Sequence, residues 1–509
     1  MSKTEEFRSV IETGYTFKGD SIVLGTSMLD GEALVSNQVK APLKTFNRHG
    51  LIAGATGTGK TKTLQNIAER LSEKGVPVLL MDIKGDLSGL TQPGNPHPKI
   101  DERHEKIGTA WVAQGYPCEL LTISEQEGAR MRATISEFGP VLLSKILELN
   151  DTQEGVVSVV FKYCDDHGFP LLDIKDFRKT LQWISNEGKE DVEKNYGLVS
   201  SSSVGAIMRK LLTIEEQGAD LFFGEKSFDI DDLMRTDRDG KGYISILRLD
   251  DIQSKPKLFS TFMLCLLAEI YESMPEQGDA DKPELVIFID EAHLIFDEAS
   301  KALMSQIETI VKLIRSKGIG LFFVTQNPTD VPDAVLSQLG MKVQHALRAF
   351  TAKDRKAIKL TAENYPITEF YDTDDVLTKL GIGEAIITVL NEKGIPTPLV
   401  HTLLTAPSSR MDVINNKEKA AIISESKLVK KYSENIDRES AYEMLEERME
   451  KLEKREEKEQ KAATGKKRSS RRPEKSMFEK VTGSVTGRMI IREVTRGLLG
   501  VLGIKSSRR

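Results

Sequence analysis

Short apolar runs of strand length recur along this chain, and they alternate with longer segments in which apolar residues follow helical spacing. Near residue 50 an apolar run leads into a glycine-rich loop and then into a helical pattern that ends near Gly75. A second apolar run, 76–81, follows at once, and this strand–helix–strand order predicts a parallel sheet. Further strands are predicted at 118–123, 243–249, 285–289, 320–324, 343–347, 384–389 and 398–403.

The segments that flank this strand pattern differ from it in composition. The N-terminal residues show only brief strand signals, at 21–25 and 32–35, set between Gly, Asp and Asn. Beyond Pro407 the chain becomes highly charged, and it is free of glycine over 427–460, which favours a helix. The predicted organisation is a short N-terminal β-rich segment at 1–48, an α/β core at 49–130 and 241–408, an α-helical insertion at 131–240, and a charged helical tail at 409–509 with a basic linker at 465–475.

Composition limits the classes of function. The net charge is −6, so a nucleic-acid-binding surface would have to concentrate its basic groups locally, for example inside a ring. None of the three cysteines belongs to a C-x-x-C pair, which argues against a zinc site or a disulfide framework and favours a reducing compartment. The N-terminus lacks an apolar signal region, and no stretch approaches the roughly 20 apolar residues of a membrane helix. We therefore expect a cytoplasmic protein without a transmembrane segment.

The glycine-rich loop matches the phosphate-binding consensus G-x-x-x-x-G-K-[ST] over residues 54–61. Glycines let backbone N–H groups turn inward around phosphate oxygens, and the next helix presents its N-terminal N–H groups to the same anion. Lys60 is expected to contact the β- and γ-phosphates of ATP, and the hydroxyl of Thr61 to hold Mg²⁺. A turn that matches by chance is the alternative, but the motif lies between a predicted strand and a predicted helix. The residues predicted to contact the nucleotide are Gly54, Ala55, Thr56, Gly57, Thr58, Gly59, Lys60, Thr61 and Lys62.

Two carboxylates follow the predicted strand 285–289. Asp290 is expected to bind Mg²⁺ through water and Glu291 to polarise the attacking water, although an ordinary acidic loop would look the same in isolation. His293 is interpreted as a helix-start or packing residue. Gln326 follows another apolar run and is a candidate for sensing the γ-phosphate or positioning water; the alternative is a loop amide.

Seven segments carry a resemblance to a known family. They are FNRHGLIAGATGTGKTKTLQ at 46–65, MDIKGDLSGL at 81–90, LELNDTQEG at 147–155, FFGEKSFDIDDLM at 222–234, IDEAHLIF at 289–296, LIRSKGIGLFFVTQNP at 313–328 and QLGMKVQHALRAF at 338–350. Together they resemble the HerA/FtsK superfamily of ring-forming P-loop motors, and within it the bacterial HerA-like, YjgR-type branch. The resemblance covers about residues 19–410.

This resemblance implies both a fold and a way of completing the site. The expected fold class is α/β, with a RecA-like P-loop core in which helices flank a mainly parallel sheet. Members of the superfamily form hexameric rings, and an arginine from the neighbouring subunit completes each site. Arg315 best matches that arginine, and Arg348 and Arg355 are the other candidates.

Three functions are compatible with such a chain. The favoured one is a DNA translocase or helicase, whose ring would track phosphates with basic residues; the basic run 466–472 would add a DNA contact or serve only as a solvated linker. The second is a motor or switch that acts on a protein partner or at the membrane surface. It is suggested by Arg488, Arg492 and Arg496, which recur on one helical face of a tail rich in glycine and apolar residues. The third is an oligomeric ATPase that scaffolds partners.

Overall fold

The computed structural model describes residues 2–253, 255–278, 280–296, 301–434, 436 and 438–466. The chain divides into two compact units. One consists of Met1–Arg132 and Ser227–Glu434, and the other of Ala133–Lys226 and Asn435–Arg509. The predicted phosphate loop and both predicted carboxylates belong to the first unit.

The first unit is built on a sheet that has 12 strands within the described residues. The strands are β1 (Ser21–Leu29), β2 (Glu32–Pro42), β3 (Gly50–Ala53), β4 (Val78–Asp82), β5 (Cys118–Thr122), β6 (Ala129–Arg130), β7 (Ile244–Arg248), β8 (Leu285–Ile289), β9 (Ile319–Thr325), β10 (Met341–Gln344), β11 (Glu384–Thr388) and β12 (Val400–Leu404). Their order across the sheet is β2-β1-β12-β11-β10-β3-β9-β8-β4-β7-β5-β6. All neighbouring pairs from β10 to β6 are parallel, whereas β11, β12, β1 and β2 extend the sheet with antiparallel pairs. The mainly parallel sheet of the predicted α/β fold is confirmed.

The described helices fall into both units. They are α1 (Lys3–Gly14), α2 (Lys60–Glu73), α3 (Pro98–Ile107), α4 (Ile135–Ile146), α5 (Asp151–His167), α6 (Ile174–Ser185), α7 (Lys189–Asn195), α8 (Ser201–Glu215), α9 (Ala219–Phe222), α10 (Pro256–Ser273), α11 (His293–Phe296), α12 (Lys301–Leu313), α13 (Asp333–Leu336), α14 (Ala352–Glu363), α15 (Thr373–Lys379), α16 (Asn416–Glu425), α17 (Lys427–Tyr432) and α18 (Ala441–Lys466). Helices α4 to α9 and α18 form the second unit, and the others belong to the first. Among the described helices, none combines the length and the apolar character that crossing a membrane requires.

The central strands are apolar on both faces, as a parallel sheet covered by helices requires. Every residue of β4, β8 and β9 is buried. Phe322 of β9 packs against Phe46 and Phe288, with ring centroids 5.4 and 5.0 Å away. Gly50 of β3 leaves the room that Phe322 needs, because a Cβ atom at residue 50 would lie 2.3 Å from the Phe322 ring. This packing fixes β3 against β9 and so positions the loop that follows β3.

The N-terminal segment extends the same sheet. Strands are present at both predicted positions, but β1 and β2 are longer than predicted, and β1 pairs with β12. Helix α1, which was not predicted from the sequence, precedes them and buries Phe7 and Ile11. It begins with a capping box, in which the Ser2 hydroxyl accepts from the N–H of Glu5 and the Glu5 carboxylate accepts from the N–H of Ser2. The S-x-x-E pattern was the sequence signal for this helix.

The helix predicted over 427–460 is observed as two helices, α17 and α18. A new helix begins after Ser440, whose N–H and hydroxyl both donate to Glu443 Oε2, at 2.9 and 2.5 Å. Within the second unit α18 lies against α6, where the N–H of Tyr442 donates to Asp176 Oδ1 at 2.9 Å. Most of the predicted linker 465–475 lies outside the described residues, and so do Arg488, Arg492 and Arg496.

Candidate functional site

The loop between β3 and α2 has a conformation that glycine adopts far more readily than other residues. Gly54, Gly57 and Gly59 have φ angles of 150°, 79° and 112°, in a region that residues with side chains avoid. Gly54 also has no room for a side chain, since a Cβ atom there would lie 2.5 Å from Cβ of His345. The backbone itself therefore requires the glycines of the predicted motif.

Hydrogen bonds anchor the loop to β9 and to the segment that follows β10. The N–H groups of Gly54 and Ala55 donate to the carbonyl oxygens of Thr325 and Ala346, at 3.3 and 2.8 Å. Gly59, which has no side chain with which to cap a helix, is the N-cap residue of α2. Because the first N–H groups of a helix have no acceptor within that helix, this end of α2 is suited to an anion.

The ammonium group of Lys60 lies inside the loop. Its Nζ donates to the carbonyl oxygens of Gly54 and Ala55 at 2.6 and 3.2 Å, and the residue is only 6% exposed. Burial, and then the charge of nearby Lys84, lower the pKa of the Lys60 ammonium group. Thr61 follows in the first turn of α2. Both residues lie where they would contact a phosphate chain bound at this end of the helix.

The structure places the side chain of Lys62 away from the loop. Its Nζ donates to the carbonyl oxygen of Met411 at 2.5 Å and to Gln65 Oε1 at 3.2 Å. The ammonium group therefore ties α2 to the segment that follows β12. The backbone N–H of Lys62, in the first turn of α2, is the part of this residue suited to contact a nucleotide.

Asp290 and Glu291 lie at the same edge of the sheet as the loop. Strand β8 is parallel to β9, and β9 to β3, so a single strand separates the carboxyl end of β8 from the loop. Asp290 is 2% exposed, and its Oδ2 has no hydrogen-bond partner among the described residues. Burial is the main cause that raises the pKa of Asp290 to about 6. A buried carboxylate oxygen without a partner is unfavourable, and a metal ion or its bound water would satisfy it.

The backbone of Glu291 is strained. Its φ of 46° is left-handed, and such a conformation costs a residue other than glycine about 1–3 kcal/mol. His293 begins α11, as predicted for a helix-start residue, and its Nδ1 lies 3.3 Å from Glu291 Oε2. The turn therefore directs the carboxylate of Glu291 towards its neighbours at the sheet edge.

A lysine that was not among the predicted site residues contacts this carboxylate. Lys84 follows β4, and its Nζ forms an ion pair with Glu291 Oε1. Burial opposes the positive charge of Lys84, but the hydrogen bond to Glu291 and the nearby charge of Asp290 raise its pKa on balance. The sequence signal was a charged residue shortly after an apolar run. It becomes informative only once β4 is known to pair with β8, with Met81 level with Ile289.

Asp82 organises the loop that carries Lys84. Its Oδ1 accepts hydrogen bonds from the N–H groups of Gly85 and Asp86, at 2.8 and 3.1 Å, and its Oδ2 accepts one from Leu87 at 3.1 Å. Burial raises the pKa of Asp82 to about 7, against the effect of the donated hydrogen bonds, which lower it. Beyond the end of β4 the backbone N–H groups no longer pair with a neighbouring strand, and this one buried carboxylate accepts hydrogen bonds from three of them.

Replacing Asp82 with alanine is expected to lower the free energy of unfolding by about 1–3 kcal/mol, because buried N–H groups lose their acceptor. Chemical denaturation measures this change. Asp239→Ala, at an exposed turn, is the matched control and should change the free energy of unfolding by no more than about 0.5 kcal/mol. An Asp82→Ala protein as stable as the wild type would show that this carboxylate does not hold the loop.

Gln326 and Arg315, two further predicted site residues, lie at opposite ends of β9 and so at opposite edges of the sheet. Gln326 follows β9, and its Oε1 lies 3.4 Å from Thr56 Oγ1, beside the phosphate loop. Arg315 belongs to the 3₁₀ helix that directly precedes β9, so it lies at the other edge, where it lines a cleft of about 400 Å³. Arg348 and Arg355 are both exposed. One chain therefore brings together the loop, the acidic pair and Gln326, but not Arg315.

The residues at the loop edge fit a magnesium–nucleotide complex. Within the part of the chain that the structure describes, no three His, Cys, Asp or Glu side chains come together as a metal cage. Mg²⁺ in nucleotide sites needs no such cage, because phosphates and water supply most of its ligands. The hydroxyl of Thr61 and the unpartnered Oδ2 of Asp290 are the protein oxygens suited to it.

Comparison with known proteins gives a consistent result. A family model described as Helicase HerA-like C-terminal matches residues 28–507. The DNA double-strand break repair helicase HerA of Sulfolobus acidocaldarius is 25% identical over 374 residues, which cover 72% of this chain and 67% of that protein. The protein of the same name from Saccharolobus solfataricus is 23% identical over 355 residues, which cover 69% of this chain and 63% of that protein. The match thus spans about two thirds, or slightly less, of the length of these relatives.

A solved structure supports the fold. The bacterial conjugative coupling protein TrwBdeltaN70, in its unbound monoclinic form, is similar to this chain with a TM-score of 0.50 and 14% sequence identity. The similarity covers 80% of this chain and 94% of that one. At this level of identity it concerns the fold alone, and it agrees with the expected RecA-like P-loop core.

Proposed function

Because the chain belongs to the Helicase HerA-like C-terminal family, we propose that it hydrolyses Mg·ATP and uses the energy to translocate along or unwind DNA. One observation carries the first half of this proposal: the phosphate loop, Lys60 and the Asp290–Glu291 pair lie at one edge of the sheet. The second half is supported by the relatives, which are helicases of DNA double-strand break repair.

Each residue has a defined task in this proposal. N–H groups of the loop and of the first turn of α2 bind phosphate oxygens, and Lys60 exchanges its contacts with loop carbonyls for the β- and γ-phosphates. Thr61 and Asp290 hold Mg²⁺, which neutralises phosphate charge when it is bound with ATP. Glu291 orients the attacking water and accepts its proton, while Gln326 lies at the γ-phosphate end of the loop.

A ring of identical subunits would complete the site. Arg315 lies at the sheet edge opposite the loop, so it does not serve the site of its own chain. In a head-to-tail ring two different surfaces of the subunit meet at each interface, so the surface that carries Arg315 would face the loop of the next subunit if these are the two that pair. We therefore assign Arg315 as the arginine supplied by the neighbouring subunit of a hexamer.

Arg315→Ala is expected to keep ATP binding but to lower the turnover number by about 1,000-fold or more, the usual effect of removing such an arginine. Steady-state hydrolysis and equilibrium nucleotide binding measure the two quantities separately. Arg348→Ala and Arg355→Ala are the matched controls, because both residues are exposed arginines of the same unit. Normal turnover in Arg315→Ala, or an equal loss in a control, would move the assignment to another arginine.

Mixing two inactive variants tests whether Arg315 acts between subunits. In a mixed ring of Arg315→Ala and Glu291→Gln chains, some interfaces combine an intact Glu291 with an intact Arg315 from the neighbour. Hydrolysis should therefore reappear on mixing. Activity that stays at the level of the separate variants, in mixtures shown by mass measurement to form mixed oligomers, would contradict action in trans.

DNA-stimulated hydrolysis tests the choice of substrate. Single- or double-stranded DNA is expected to raise the ATPase rate several-fold, and the stimulation should weaken steeply with salt because it depends on phosphate contacts. The mass in solution is measured in parallel, with and without nucleotide, to detect the ring. An ATPase that neither form of DNA stimulates at moderate salt would instead favour a motor or switch that acts on a protein partner.

A further inference from the structure

Lys84 is the one ammonium group that we find in direct contact with the predicted catalytic carboxylate within the described residues. Its Nζ pairs with Glu291 Oε1, while His293 Nδ1 faces the other oxygen of the same carboxylate at 3.3 Å. The Glu291 side chain is 8% exposed, so the ion pair between Lys84 and Oε1 lies in a largely dry environment. A carboxylate whose Oε1 is paired with an ammonium group in this way is not free to turn towards a water molecule.

The contact is built into the fold. Asp82 fixes the backbone on the far side of Lys84 with three accepted hydrogen bonds. The next residue, Gly85, has a φ of 74°, a backbone conformation that residues with side chains rarely adopt. A left-handed turn closed by a buried carboxylate therefore presents Lys84 to the acidic pair.

The position of this ammonium group is one that a divalent cation would also favour. The carboxylates of Asp290, Glu291 and Asp86 all act on the charge of Lys84. Asp290 Oδ2 and Glu291 Oε2 have no hydrogen-bond partner among the described residues although both atoms are buried. Two buried carboxylates in sequence need a compensating positive charge, and Lys84 provides it when no metal does.

We propose that Lys84 is a positioning residue that takes the place of the metal: it neutralises the Asp290–Glu291 pair in the nucleotide-free protein and must move away when a divalent cation arrives. Binding of the cation then frees Glu291 from Lys84, so the catalytic carboxylate becomes available only when the metal is in place. The role in hydrolysis rests on the proposed ATPase function. The competition between Lys84 and the cation does not, and it can be measured without ATP.

The test titrates Mn²⁺ into the nucleotide-free full-length protein, with free Mn²⁺ followed by electron paramagnetic resonance. Removing a unit charge this close to the acidic pair should raise the Mn²⁺ affinity of Lys84→Met about tenfold. Lys84→Arg, which keeps the charge, should stay near the wild type. Lys106→Met removes a lysine charge from an exposed helical ion pair and should also leave the affinity unchanged. Adding Asp290→Asn to Lys84→Met should abolish the gain.

Equal Mn²⁺ affinity in wild type and Lys84→Met would overturn the proposal, and so would a gain that survives Asp290→Asn. Lys84→Gln repeats the test with a shorter side chain if circular dichroism shows that the methionine variant is misfolded. A wild-type protein that hydrolyses no ATP would contradict the proposed function. The Mn²⁺ titration would still decide whether Lys84 competes with the cation. In an active enzyme, the Mg²⁺ concentration at half-maximal rate should fall in Lys84→Met.

Discussion

Glu291→Gln is expected to bind ATP as tightly as the wild type and to hydrolyse it at least 1,000-fold more slowly. Glutamine has nearly the same size and shape as glutamate, but its amide cannot accept a proton from water. General-base catalysis contributes about 100- to 10,000-fold to a rate, and loss of the charge at a buried site adds to this. Glu291 is 6% exposed and paired with Lys84, so its charge is felt strongly by neighbouring groups.

Two measurements separate binding from chemistry in this variant. Binding is followed with a fluorescent ATP analogue, and the chemical step is followed by single-turnover hydrolysis. Glu102→Gln, at an exposed i,i+4 ion pair with Lys106, is the matched control and should hydrolyse ATP normally. If Glu291→Gln turns over at the wild-type rate, Glu291 is not the base, and the acidic pair has another role.

Lys60→Ala is expected to abolish detectable hydrolysis and to weaken ATP binding at least 100-fold. The ammonium group is buried inside the loop, where the low dielectric makes its attraction for phosphate much stronger than in water. Without it, the loop would have only its backbone N–H groups, besides the bound Mg²⁺, to balance the charge of the triphosphate.

Lys62→Ala is the informative control for that experiment. Lys62 lies only two residues away, but its ammonium group donates to Met411 and Gln65 instead of facing the loop. Its removal should lower thermal stability slightly and change the ATP dissociation constant by no more than a few-fold. Equal losses of binding in both variants would mean that the two lysines act together on the nucleotide, as the sequence motif alone suggested.

The strands and the phosphate loop were predictable because their signals are local. A continuous apolar run marks a strand buried on both faces, and a spacing of glycines marks a loop that needs left-handed φ angles. Gly54, Gly57 and Gly59 meet that requirement in the structure. The carboxylates after β8 were found in the same way, because the end of a parallel strand is where such sites form.

Other parts of the site depend on pairing between distant strands, which no local pattern records. Lys84 meets Glu291 only because β4 lies next to β8, although about 200 residues separate these strands along the chain. The antiparallel pairing of β1 with β12 has the same origin, and it joins the N-terminal strands to the core sheet. The contact of the Lys62 side chain could not be predicted for a related reason, because its partner Met411 lies far along the chain, beyond β12.

The most direct test of the central claim is to locate a metal ion in the site. A crystal structure with Mn²⁺ and a non-hydrolysable ATP analogue would reveal the ion by its anomalous scattering. We expect the ion to lie between the Thr61 hydroxyl and the β- and γ-phosphates, with Asp290 beside it and Lys84 withdrawn from Glu291. A nucleotide bound elsewhere, or an ion that touches neither Thr61 nor the surroundings of Asp290, would contradict the assignment of this sheet edge as the catalytic site.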